Sequence, residues 1–268
     1  MKSYSRYLRK QNEYYYSNGL KIKNLSIEDV FDTIGESNYF KFINLFLTTP
    51  YVMKVGLWEA GIDYIDITNY QLFINLWNGD EEKYREKKKA KESHNMDKCE
   101  YKDYMTYNEL FKHFFDSDIP EISYDFENED LILIDPKSNK TLVDKLIYSD
   151  IVNYIRAIHF IDYKEEFNPA NKRGRKRIIE EEQKDMEIDK NKEVGYPFMD
   201  FMSSLIWVGS GGYNWETVYT LTIYQLYDGV KRIQKSKNTD YLFHGIYANG
   251  VDIKKIDQSE LQWNSNLK

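Results

Sequence analysis

Apolar residues recur at helical spacing along most of this chain. Ile27, Val30, Phe31 and Ile34 fall at i, i+3, i+4 and i+7, and Ser26-Ile27-Glu28-Asp29 supplies a capping-box start with its acid at the third helical position. Beyond Gly35, the residues Tyr39, Phe40, Phe42, Ile43, Phe46 and Leu47 continue a very apolar helix up to Pro50. Leu57-Trp58 and Leu72, Phe73, Leu76, Trp77 add two more helical faces, separated by the turn-prone Gly61-Ile62-Asp63. Gly19 to Lys23 alternates as a short strand. Residues 1–79 therefore read as an N-terminal helical unit with a short strand, its core drawn from residues 20–78.

The pattern breaks at Asp80. Between Asp80 and Glu100 seven Lys/Arg face seven Asp/Glu with almost nothing apolar, so 80–100 is either a charged linker or an exposed helix. Residues 101–167 hold a helix plus a small antiparallel sheet. Thr106-Tyr107-Asn108-Glu109 is a second capping box, and Glu121–Phe126 alternates. Leu131–Ile134 is a short apolar run, Asp135-Pro136-Lys137-Ser138-Asn139 is turn chemistry, and Thr141-Leu142-Val143 returns. Ser149 or Asp150 is the expected cap of the next helix, whose Ile151, Tyr154, Ile155 and Ile158 share one face.

Asn168-Pro169 marks a boundary, and 168–195 reads as a charged connecting helix, basic first and acidic after. In 196–268, a C-terminal helical unit, Phe198, Phe201, Met202, Leu205 and Ile206 form one stripe ended by Gly209-Ser210-Gly211-Gly212. Tyr219, Ile223, Leu226, Val230 and Ile233 advance by four and three as a heptad-like seam, which Tyr241, Leu242 and Ile246 extend. Asp257-Gln258-Ser259-Glu260 is expected to cap a last short helix bearing Leu261 and Trp263. The fold class expected is α+β, mainly α-helical, with helical N- and C-terminal units around a small central antiparallel sheet.

Composition narrows the picture. The 268 residues, 41% of them hydrophobic, are enough for a sizeable core. No apolar run approaches the length of a membrane span, and the basic start MKSYSRYLRKQNEYYY has no apolar stretch of the kind a secretory signal carries. The lone Cys99 excludes an internal disulfide and fits a reducing compartment. A net charge of −7 gives no global footprint for nucleic acid. Abundant Tyr, Lys, Asn and Ile with scarce Ala follow AT-rich codons, which points to a low-GC bacterium or one of its viruses.

Candidate chemistry is thin. His94, Cys99 and His113 lack the close paired spacing of a zinc site, so no metal is expected. His159, between Ile158 and Phe160, reads as a packed histidine rather than a general base. Gly209 to Gly212 lacks a phosphate-loop lysine and reads as a helix–helix connector, and Glu180-Glu181-Glu182 points around a helix instead of converging. No catalytic residue and no cofactor are expected. The sharpest charge feature is KRGRKR, Lys172 to Arg177, in which Arg173, Arg175, Lys176 and Arg177 are candidate partner-binding cations, for phosphates or for ion pairing at a docking helix. No interleaved aromatic residues offer a base-stacking platform. Tyr213, Trp215, Tyr219, Tyr224 and Tyr227 cannot all face inward, so Tyr213, Trp215, Tyr224 and Tyr227 are candidate partner contacts as well.

Three stretches carry a family likeness. They are GLKIKN with LSIEDVFDTIGESNYFKFINLF and GIDYIDITNYQLF; the charged helix RGRKRIIEEEQKDM; and TIYQLYDGVKRIQ, GIYANGVDIKKID and LQW. This layout resembles tail-assembly chaperones and tail-region proteins of phages that infect Gram-positive, low-GC bacteria. The resemblance implies a non-enzymatic protein that binds the tape-measure or tail-tube protein in the host cytoplasm, with self-association as a further contact. It identifies no functional residue. Many such chaperones are shorter, which leaves a virion structural subunit of the tail, baseplate or neck as one alternative. The basic run 172–177 leaves a nucleic-acid-binding regulator as another. Neither nucleic acid nor membrane is a partner in the leading reading.

Overall fold

A computed structural model describes residues 14–94, 104–163, 166–189, 198–209, 211–248, 250 and 252–262. Strands β1 (Tyr14–Tyr15) and β2 (Lys21–Ile22) form a hairpin with Tyr14 opposite Ile22. Asn18 in its turn donates from Nδ2 to the carbonyls of Thr141 and Leu142 at 3.0 and 2.7 Å, tying the hairpin to the central sheet. The capping box at Ser26 forms as its sequence predicts: Asp29 N donates to Ser26 Oγ at 3.0 Å, and Ser26 N donates to Asp29 Oδ2 at 2.8 Å. It opens α1 (Asp29–Ile34), which is wound as a π-helix, and α2 (Glu36–Leu47) follows.

After α3 (Lys54–Glu59), α4 runs unbroken over Asn69–His94, so the charge-rich segment begins inside a helix. The second capping box, Thr106 with Glu109, starts α5 (Tyr107–Phe114). The sheet then follows as a meander of β3 (Glu121–Asp125), β4 (Asp130–Ile134) and β5 (Thr141–Val143), all antiparallel. Among the described residues the fold is mainly helical, with this small three-stranded sheet beside the two-stranded β1–β2 hairpin. Asp144, directly after β5, caps α6 (Lys145–His159) by accepting from Ile147 N at 2.8 Å. Ser149 and Asp150 are therefore interior to the helix rather than its cap, because the chain turns from strand to helix with no intervening loop.

A single cluster of buried side chains gathers α1, α2, α4, α5, the inner sheet face, α6, α8 (Phe198–Trp207) and α10 (Ile223–Tyr247). Its centre is aromatic. Phe42 lies 4.3 Å from Phe114 between ring centres, Phe111 4.4 Å from Phe115, and Phe73 4.9 Å from Tyr148. The apolar faces expected for the N-terminal, central and C-terminal units thus meet in one core. A smaller cluster of Val55, Leu57, Tyr64, Leu72 and Ile179 joins α3 to α7 (Lys172–Asp189).

Asp80 and His159 are among the polar side chains buried in this packing. The Asp80 carboxylate, buried on α4, accepts from Lys41 Nζ, Tyr104 Oη and Tyr107 N. Lys41 also sits 3.8 Å above the Tyr104 ring centre. Burial lowers the Lys41 ammonium pKa, and the Asp80 carboxylate opposes that shift. This knot pins α4 to α2 and to the start of α5. Deeper in, His159 Nδ1 lies 2.8 Å from the Ile155 carbonyl and Nε2 2.9 Å from Tyr39 Oη. A carbonyl can only accept, so Nδ1 carries the proton and the Tyr39 hydroxyl donates to Nε2. His159 is a packed, fully partnered imidazole.

Candidate functional site

The basic run lies in the first turns of α7, where Asn171 Oδ1 accepts from Gly174 N at 2.7 Å and caps the helix. The structure separates its four candidate cations. Arg175 turns inward, and its Nε and Nη2 donate to Asp63 Oδ2 at 3.0 and 2.9 Å. Arg173 is exposed. Lys176 and Arg177 are exposed too, and pair along the helix with Glu180 and Glu181 at 3.5 and 3.0 Å. The basic and acidic halves of the run are thus one helical turn apart and partly compensate each other. Ile179 is 1% exposed, and Glu182 receives the buried Lys54 ammonium at 3.0 Å. The segment is a docked helix, held to α3 by Ile179 and the Lys54–Glu182 ion pair and to the loop after α3 by the Arg175–Asp63 pair.

The C-terminal third is built on α8, α9 (Trp215–Tyr219) and α10. Phe198, Met202 and Leu205 bury one face of α8, as their spacing predicts. Gly229 on α10 lets Leu205 approach, since a Cβ there would stand 2.7 Å from Leu205 Cδ2. The expected seam from Tyr219 to Ile233 is not one continuous helix. Thr222 starts α10 through a capping box with Gln225, and α9 ends before it. Main-chain bonds lace this break to the start of the molecule: Ile27 N to Leu221 O at 2.9 Å, and Ile223 N to Leu25 O at 3.1 Å.

The four candidate aromatic contacts divide evenly. Tyr224 is 7% exposed and stacks on Phe160 at 5.4 Å, and Tyr227 packs against His159, Phe198 and Phe201. Both belong to the core and not to a partner surface, because they lie on the side of α10 that faces α6 and α8. Tyr213 and Trp215 are exposed. The Tyr213 ring lies over Gly211, where a Cβ would come within 2.9 Å of it. Beside them in sequence, at the end of α8, Trp207 is 76% exposed and Val208 is exposed as well.

Past Ile233, α10 continues for about 20 Å beyond the core at 1.5 Å per residue. Thr239 is the one buried side chain in 234–247, and its Oγ1 donates to the Glu260 carbonyl at 2.9 Å. Tyr241 and Tyr247 point to solvent, and Phe243 packs parallel to Tyr247 with ring centres 6.4 Å apart. Tyr241 therefore does not extend the buried face. The expected last helix is absent at 257–261, where Asp257 instead organises a turn by accepting from Ser259 N. Trp263 and Cys99 lie outside the described residues.

Residues 189–268 match the family model of the YomV second domain, a phage-associated family. Neither a curated protein nor a solved structure matches the chain. The matched segment spans α8 to the C-terminal turns. It contains six of the ten exposed aromatic side chains among the described residues: Trp207, Tyr213, Trp215, Tyr241, Phe243 and Tyr247. Sequence spacing singled out two of these for partner contact. Trp207 was readable as well, since it falls one residue off the stripe that ends at Ile206.

Among the described residues no three His, Cys, Asp or Glu side chains are grouped to hold a metal ion. No helix there is long and apolar enough to cross a membrane. What the C-terminal third presents is exposed aromatic side chains at two places, the end of α8 with the start of α9 and the last turns of α10.

Proposed function

We propose that the chain is a non-enzymatic phage protein of tail assembly that binds the tape-measure or tail-tube protein through the aromatic surface of its last third. The observation that carries this reading is the concentration of exposed Trp and Tyr side chains on a segment similar to a phage-associated domain. Large aromatic side chains left in water are characteristic of protein-binding surfaces, where their burial supplies most of the affinity. An amphipathic helix, the expected form of a tape-measure segment, buries its apolar face against such a surface with no chemical step.

The nucleic-acid alternative has less support, because Arg175 is held by Asp63 and two of the remaining three cations lie beside acids on their own helix. Co-expression with the tape-measure protein encoded by the same phage genome tests the proposal. The wild-type chain should raise the soluble fraction of that protein, and the Trp207→Ser/Trp215→Ser variant should not. Equal solubility with and without the chain would refute the chaperone role.

A further inference from the structure

A cavity of about 500 Å³ opens between the main core and the α3–α7 cluster. Four tyrosines line it in two edge-to-face pairs: Tyr51 with Tyr64, ring centres 5.9 Å apart at 81°, and Tyr70 with Tyr148, 5.5 Å apart at 64°. Two charged side chains complete the lining that matters, Lys145 and Glu166. Lys145 is neutralised by its ion pair with Asp130. Glu166 has no cationic partner among the described residues; its Oε1 accepts only the Thr49 hydroxyl, at 2.5 Å. The neighbouring Tyr64 hydroxyl is buried and makes no hydrogen bond among the described residues. Burial raises the Tyr64 pKa, and the Glu166 carboxylate adds to that shift.

Among the described residues the uncompensated charge of this cavity is therefore negative, and its walls are tyrosine rings, whose faces are electron-rich, packed edge to face at 81° and 64°. An anion is repelled by Glu166. A neutral apolar group leaves the Glu166 carboxylate, which accepts only the Thr49 hydroxyl, without a counter-charge. A cation with an alkyl stem satisfies all three demands: charge for Glu166, a hydrogen-bond or ring-face contact for the tyrosines, and apolar contact for Ile65 and Ile67, which also line the cavity. We infer that the tyrosine-lined cavity beside Glu166 is a binding site for an alkylammonium group, supplied by a lysine side chain of a partner protein or by a free amine. Lys54, which already sits 4.4 Å above the ring centre of Tyr51, shows the same contact made within the fold. This site is remote in sequence from the aromatic surface of the last third, and amine binding does not depend on that surface.

The test is a titration of the full chain followed through the backbone amide NMR shifts of residues 64–70 and 166–168. The probes are n-butylammonium chloride, N-acetyl-lysine methylamide and their neutral isosteres n-butanol and N-acetyl-6-hydroxynorleucine methylamide. At least one cation should give saturable shifts at these amides while its neutral counterpart does not. Preference for the lysine amide assigns a protein lysine, and preference for n-butylammonium assigns a free amine. Glu166→Gln, with its folding checked by thermal melting, should weaken the preferred cation by about tenfold. Saturable shifts from neither cation, or equal binding of cation and neutral isostere by the wild-type protein, would overturn the inference. The second comparison needs no variant.

Discussion

Arg175 holds Asp63 across 112 positions of sequence, two guanidinium nitrogens closing on Oδ2 at 2.9 and 3.0 Å. The pair lies where α7 docks on the loop after α3, and both side chains are largely shielded from water. A charge-assisted contact so placed is worth more than a surface ion pair, because removing one partner leaves the other charge poorly solvated. Arg175→Ala is expected to lower stability by about 2–3 kcal/mol in urea denaturation. Arg173→Ala should change it by less than about 0.5 kcal/mol. Equal effects of the two substitutions would show that the pair does not anchor the helix.

Acid should loosen the core through His159. Burial pushes its imidazole pKa from 6.5 down to about 4, with the Ile155 carbonyl opposing only in part. The unfolded chain therefore takes up the proton first. The contribution of the neutral imidazole is complete above pH 6.5 and is lost as the pH falls toward 4, a change of about 3 kcal/mol over that interval. Urea midpoints measured between pH 7 and pH 4 should show this slope, and His159→Gln should flatten it.

Removing the hydroxyl that serves this histidine isolates one bond. Tyr39→Phe leaves the His159 Nε2 lone pair without a donor in a dry site. The expected loss is about 1–2 kcal/mol at pH 7, read from thermal or urea unfolding.

The close approach of α8 and α10 gives a packing test. A Cβ at position 229 would press on the buried Leu205 side chain, and a β-branched residue adds crowding on both sides. Gly229→Val should cost about 2 kcal/mol or more, which far exceeds the fraction of a kcal/mol that helix propensity could return. A neutral outcome would mean that the two helices are less tightly apposed than described.

What the sequence discloses here is local. The pairs Ser26–Asp29 and Thr106–Glu109 announce helix starts because the cap and its reciprocal acid lie within four residues of each other. The β3–β5 meander is legible because alternation, turn chemistry and a returning apolar run follow in order. Asp144 is concealed as a cap because an acid directly after a strand resembles turn chemistry, while Ser149 and Asp150 lie nearer in sequence to the apolar face of the helix. Thr222 and Gln225 form a readable cap, but apolar spacing that runs on across it conceals the break. Tyr224 and Tyr227 could not be told from Tyr213 and Trp215, since α6 and α8, not α10 itself, decide which side of α10 is covered. The run leaves Arg175 open to phosphates or to ion pairing at a docking helix, and the partner that decides for ion pairing, Asp63, lies beyond the reach of any local pattern. The two caps are local features masked by their neighbours, whereas the burial of Tyr224 and Tyr227 and the partner of Arg175 depend on contacts between distant segments.

The central claim is that the aromatic surface of the last third engages another protein. Hydrogen–deuterium exchange of the purified chain, alone and mixed with the tape-measure protein of the same phage genome, tests it most directly. Slowed exchange is predicted in residues 207–215 and 241–247, with Arg173 to Arg177 on α7 unchanged. Unaltered exchange across 207–215 and 241–247, or protection confined to the basic turns of α7, would contradict it.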